Sequence, residues 1–241
     1  MESSRRTSLL AGLFFILTFV ASIPAALFLY KNVLNDANFV VGGGGDTRVY
    51  LGAFLEIVTV IANIATAVVL FPIVKRASES VALGYVASRT VESTLIVVGL
   101  ISLLAVVTMR MDFAGAAGAD PALYVTAGKS LVAIHDATFL LGPAFCAGLG
   151  TGILLGYLMY RSELVPRRWA LFGMVAGAIA LATASAVLFG AYDQTSKING
   201  LFTLPEIVWE AFLGIYLTFW GFRPQSPVLR DPGMGAAAAI A

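Results

Sequence analysis

The sequence has little charge. Only 12% of its 241 residues are Asp, Glu, Lys or Arg, against about a quarter in an ordinary soluble domain. So thin a charged coat cannot keep a globule of this size in water, which excludes a soluble enzyme or binding module. There is one cysteine, Cys146, inside an apolar run, so no internal disulfide can staple the fold. There is one histidine, His135. That count excludes a His-Glu-x-x-His metalloprotease, a three-histidine zinc site and a bis-histidine haem. The 15 basic and 14 acidic residues leave a net charge of +1. No basic cluster is large enough to neutralise several phosphates, so nucleic acid is not an expected partner.

What the chain has in abundance is hydrophobic residues, at 59%. That excludes disorder. At about 20 apolar residues per transmembrane helix, it allows six or seven spans. Six runs emerge, near 8–30, 50–73, 84–108, 127–159, 169–191 and 204–222. The expected fold is an all-α integral membrane protein, a bundle of six transmembrane helices. The first run follows Arg5 and Arg6 but is longer than a signal-peptide core and has no small-x-small cleavage site. It reads as an uncleaved helix.

The loops set the expected orientation, because lysine and arginine collect on the cytoplasmic side. With a cytoplasmic N-terminus, the inside carries Arg5, Arg6, Lys75, Arg76, Arg161, Arg167, Arg168, Arg223 and Arg230. The outside carries Lys31, Arg48, Arg110 and Lys197, together with Asp36, Asp46, Asp112, Asp120 and Asp193. Both termini are therefore expected inside. One domain is expected over residues 1–223, with a disordered cytoplasmic tail over 224–241 that is rich in Pro, Gly and Ala. The Gly42–Gly45 run lacks the Gly-Lys-Ser/Thr helix start of a phosphate loop and reads as a hinge.

The fourth run is too long to cross straight. A helix from Val125 to Tyr160 would stretch about 50 Å, against a hydrocarbon thickness of about 30 Å. Gly142-Pro143 lies in its middle, and the proline removes a backbone hydrogen bond. A kink is expected there. Gly148, Gly152 and Gly156 in this run and Gly173 and Gly177 in the next repeat at four-residue spacing. Such faces let helix backbones approach closely in lipid.

Ionisable groups at membrane depth cost at least about 2.5 kcal/mol each and normally face the bundle interior. This chain has Glu56, Arg89, Glu92, His135, Asp136, Glu206 and Glu210 there, with Lys129 near one mouth. Counted from the apolar starts of their helices, Glu56, His135, Asp136, Glu206 and Glu210 fall in one outer-half layer. Glu56, Thr59, Asn63 and Thr66 form one polar stripe. The expected candidate pocket is Glu56, Asn63, His135, Asp136, Glu206 and Glu210. Left ionised and unpaired, these carboxylates would repel, so a proton-sharing or cation-binding cluster follows. Arg89 and Glu92, three positions apart, are expected to form a separate inner charge pair. Lys129 and Ser130 are neighbours whose side chains point apart on a helix, which argues against a dyad.

Several segments carry a resemblance. They are Gly84-Tyr85 through Arg89-x-x-Glu92, His135-Asp136 with Leu141-Gly142-Pro143, Arg161-Ser162-Glu163-Leu164-Val165-Pro166-Arg167, and Leu204-Pro205-Glu206 through Glu210 to Gly221-Phe222. In order and spacing, from about Leu9 to Phe222, the chain resembles an uncharacterised bacterial membrane family, domain of unknown function 4386. The resemblance implies a bacterial multi-pass protein of the cytoplasmic membrane. It supplies no activity, cofactor or site residues.

The residues therefore leave three functions open. The first is a small transporter or a permease coupled to protons or cations. The second is a membrane-embedded metal-dependent enzyme, with His135, Asp136 and the glutamates as ligands. The third is a scaffold or accessory subunit. The expected partners are the lipid bilayer and a cation, proton or small-molecule ligand. No cofactor is indicated.

Overall fold

A computed structural model describes residues 2–230. Every regular element among them is helical. Six helices are long and apolar enough to cross a membrane: α1 (Ser4–Leu29), α2 (Asp46–Val74), α3 (Glu79–Gly115), α4 (Pro121–Ser162), α5 (Arg167–Leu188) and α6 (Lys197–Phe219). Side chains such as Phe54, Ile61, Ile101 and Val175 are exposed on the outside of the bundle. In water they would be a liability; in a bilayer they face lipid. The chain is a multi-pass membrane protein.

The helix starts lie further out than hydrophobicity alone suggests, and capping explains why. Asp120 accepts the Ala122 N–H at 2.9 Å and Pro121 takes the first helical position, so α4 begins well before its apolar run. Ser196 accepts the Asn199 N–H at 3.2 Å and starts α6 at Lys197 rather than near Leu204. Gly45, at φ +105°, makes the left-handed turn into α2.

The helices close into a ring in chain order: each packs on the next, and α6 packs back on α1. Short connections make such neighbours antiparallel. At one end, called here the turn end, lie the connections between α2 and α3 and between α4 and α5. At the other, the cap end, a short helix (Lys31–Asn35) and a 3₁₀ turn (Phe39–Val41) cover the bundle. The turn into α5 places Glu163 at φ +54° and is tied to the chain after α6 by the Arg223 N–H donating to Leu164 O at 2.9 Å.

Between helices in lipid the drive is close packing and hydrogen bonding rather than water release. Glycine provides that closeness between α4 and α5. A Cβ on Gly177 would strike the backbone of Gly148 and Gly152. The backbone of α4 widens into π turns over Leu140–Ala144, which contains Pro143, and over Gly148–Leu155. A proline lacks the N–H that a regular turn uses, and a wide turn is one way to accommodate it.

Two apolar clusters fill the ring. One, at the turn end, includes Phe15, Leu70, Tyr85, Leu158 and Trp209. The other, at the cap end, includes Tyr30, Val33, Val40, Leu103 and Val106. The buried Arg89 and Glu92 sit between them. Of the expected tail, residues 231–241 lie outside the described residues. Before them, Ser226 is buried and its hydroxyl donates to Ser162 O at 2.5 Å.

Candidate functional site

The polar layer is built from α2, α3, α4 and α6 around Arg89. The guanidinium is 1% exposed. Its Nη1 donates to Glu92 Oε2 at 2.8 Å, to Thr151 Oγ1 at 3.0 Å and to Glu210 Oε1 at 3.4 Å. Its Nη2 donates to Asn63 Oδ1 at 2.6 Å, and the Asn63 amide in turn donates to Glu92 Oε1 at 3.2 Å. A buried charge needs this many partners, because each unpaired hydrogen-bonding group in a dry interior is costly. Thr66 and Tyr85 continue the network toward the turn end at 3.3 Å. Trp209 joins it from α6, its indole N–H donating to Thr151 O at 2.9 Å.

Arg89 and Glu92 are therefore not a separate pair. Glu210, expected in the outer layer, and Asn63, expected in the same candidate pocket, belong with them. The reason is helix length. Measured from the true start of α6, Glu210 lies about 20 Å along the helix. Arg89 lies about 15 Å from the turn end of α3, and Glu210 about 14 Å from the turn end of α6. They share one depth.

Glu56 stands one step toward the cap end. Its Oε2 accepts the Tyr30 hydroxyl at 3.0 Å, and Gly52 gives the Tyr30 ring room to lie against α2. His135 meets the Tyr30 ring edge-on at 6.0 Å between centroids and lies 4.9 Å from the Phe139 ring. It is buried, and its Nε2 has no hydrogen-bond partner.

The remaining two expected members lie elsewhere. Asp136 approaches His135 Nδ1 at 3.3 Å, but its side chain is 60% exposed. It faces a second pocket of about 220 Å³ beneath the 33–40 cap, shared with Lys129 and Asp36. Adjacent positions on a helix point in different directions, so His135 inside and Asp136 outside follow from the helix itself. Glu206 is buried at the α4–α5 crossing, close enough that a Cβ on Gly152 would come within 2.8 Å of its Oε2. Neither of its oxygens has a hydrogen-bond partner.

A cavity of about 410 Å³ gathers Glu56, Asn63 and Glu210 of the expected pocket, and His135 is not among its lining residues. Glu56, Asn63, Arg89, Glu92 and Glu210 line it, together with Thr59. Its other walls are mostly apolar: Phe19, Ile23 and Leu27 of α1, Phe139, Pro143 and Ala147 of α4, and Ile207 of α6, with Thr18 and Ser22 of α1 the polar exceptions. The size is that of a small-ligand pocket, and a mostly apolar wall with a few convergent polar groups is the usual lining. Tyr30, Thr151 and Trp209 complete the polar layer, yet carry no signal in the sequence. A tyrosine ending an apolar run and a threonine within a glycine stripe look like ordinary helix surface.

Among the described residues, no three His, Cys, Asp or Glu side chains come close enough to hold one metal ion. The metal-dependent enzyme reading has no such donor set to rest on.

Six spanning helices in a closed ring, with a charged layer at mid-depth, define a multi-pass membrane protein with a polar interior. The model of one family, described as Domain of unknown function (DUF4386), matches residues 10–221. The chain belongs to that family. No curated protein and no solved structure matches it.

Proposed function

We propose that this protein is a small transporter, a permease coupled to protons or cations, in the cytoplasmic membrane of a bacterium. The observation that carries the reading is the 410 Å³ cavity at mid-depth, lined by three carboxylates and one arginine. A structural fastener needs partners for its charges but no empty space beside them. Here the carboxylates exceed the arginine, and a cation or protons would balance the surplus. The threading follows the loop charges: both termini inside, the turn end cytoplasmic and the cap end outside. The wide turns of α4 at Gly142-Pro143 serve as the kink that opens the cavity wall, as broken helices do at the sites of other transporters. Residues 1–223 act as one domain.

The test is flux in proteoliposomes. Purified protein should carry protons or a cation down an imposed gradient faster than protein-free vesicles. Glu210→Gln and Glu56→Gln should each lower that flux at least about tenfold. Flux unchanged by both replacements would sink the proposal.

A further inference from the structure

We infer that the cavity takes an amphiphilic organic cation, and that this ligand reaches it sideways from the lipid rather than from water. The inference rests on the transporter reading for its purpose, but on separate features for its content. The first is the rim. Ile23 and Leu27 of α1 and Ile207 of α6 line the cavity. They are also 42%, 62% and 44% exposed on the outside of the bundle. At these positions along spanning helices the outside is hydrocarbon, so the mouth opens into the bilayer. A hydrated ion has no route through such a mouth. A molecule with an apolar body does.

The second feature is the charge inside. Glu56, Glu92 and Glu210 face the cavity with only Arg89 to oppose them. Arg89 is already committed to Glu92, Glu210, Thr151 and Asn63. Among the described residues, no lysine or arginine lies within ion-pair distance of Glu56. An anion would meet three carboxylates, whereas a cation meets more carboxylates than Arg89 can match. The third feature is the aromatic wall. Phe19 and Phe139 border the same space, and ring faces attract organic cations, more so where water is excluded.

The experiment uses the whole protein in lipid nanodiscs, with tetraphenylphosphonium as probe and protein-free nanodiscs as background. Saturable binding above background is expected. It should weaken at least about tenfold in Glu56→Gln and in Glu210→Gln. Ile23→Trp, which fills the rim without touching the polar layer, should also weaken it while the melting temperature stays put. Tetraphenylborate, of similar shape and opposite charge, and tetramethylammonium, a cation without an apolar body, should not compete. No saturable binding, or binding indifferent to all three replacements, overturns the inference. So does equal competition by either control ion. Proton or small-cation flux without probe binding would leave the transporter reading standing and remove this ligand class. Probe binding without flux would do the reverse.

Discussion

Arg89 on α3 and Glu210 on α6 stand 121 positions apart in the chain and 3.4 Å apart at the centre of the ring. The contact joins helices on different sides of the cavity. Removing the arginine would leave Glu92 buried and Glu210 half-buried without a counter-charge, and losing one partner of a buried pair costs on the order of 3–5 kcal/mol. Arg89→Met should therefore lower the melting temperature in detergent sharply. Arg89→Lys should recover only part of it, since a single ammonium cannot reach Glu92, Asn63 and Thr151 together. Adding Glu92→Gln to Arg89→Met should restore stability in part. A wild-type melt for Arg89→Met would mean the layer holds nothing together.

The α4–α5 crossing predicts a different kind of sensitivity. At Gly177 the atoms in the way of a Cβ are backbone, which cannot swing aside. Gly177→Ala should push the two helices apart at a cost of about 1–3 kcal/mol. Gly43→Ala, where a Cβ meets nothing within 4 Å, is the matched control and should melt like wild type.

Arg110 ties the cap end. Its guanidinium forks onto both oxygens of Asp46, donates to Gly42 O at 3.1 Å and lies over the Phe39 ring at 5.8 Å. Arg110→Ala should speed hydrogen exchange across residues 36–45. It should cost the global fold no more than about 1 kcal/mol, because the pair is near the surface. Exchange unchanged in that segment would show that the cap holds without the clamp.

Orientation is open to labelling. In a Cys146→Ser background, Ala117→Cys in the exposed α3–α4 connection should react with a membrane-impermeant maleimide on intact cells. Ser80→Cys, exposed at the turn end, should react only after lysis. The reverse pattern would turn the protein over and put the basic loops outside.

The six helices are legible in the sequence because each needs a long apolar face toward lipid, and composition records that directly. Their ends are not. Hydrophobicity marks where apolar residues begin, whereas helices begin at caps. Asp120 and Ser196 start α4 and α6 about two turns earlier than the apolar runs suggest. That error in origin hid the depth that Glu210 shares with Arg89. The stripe Glu56, Thr59, Asn63 was legible because its spacing keeps one face, and all three line the cavity. Glu206 shows the opposite limit. It shares a helix face with Glu210 at four residues' spacing, yet only the packing of α5 decides that one faces the cavity and the other a glycine crossing.

The ring also has a seam. α1 closes against α6: Ser8 and Arg5 donate to the carbonyls of Leu217 and Thr218, and Gly12 fits beneath Thr218. The earliest of the six helices in chain order therefore docks on the latest. Until α6 is made, the face of α1 with Ala11 and Phe15 lacks that partner. The cavity at that stage lacks the wall that carries Glu210. It is complete only when synthesis reaches α6. Delay in closing the seam is where a slow assembly step would appear.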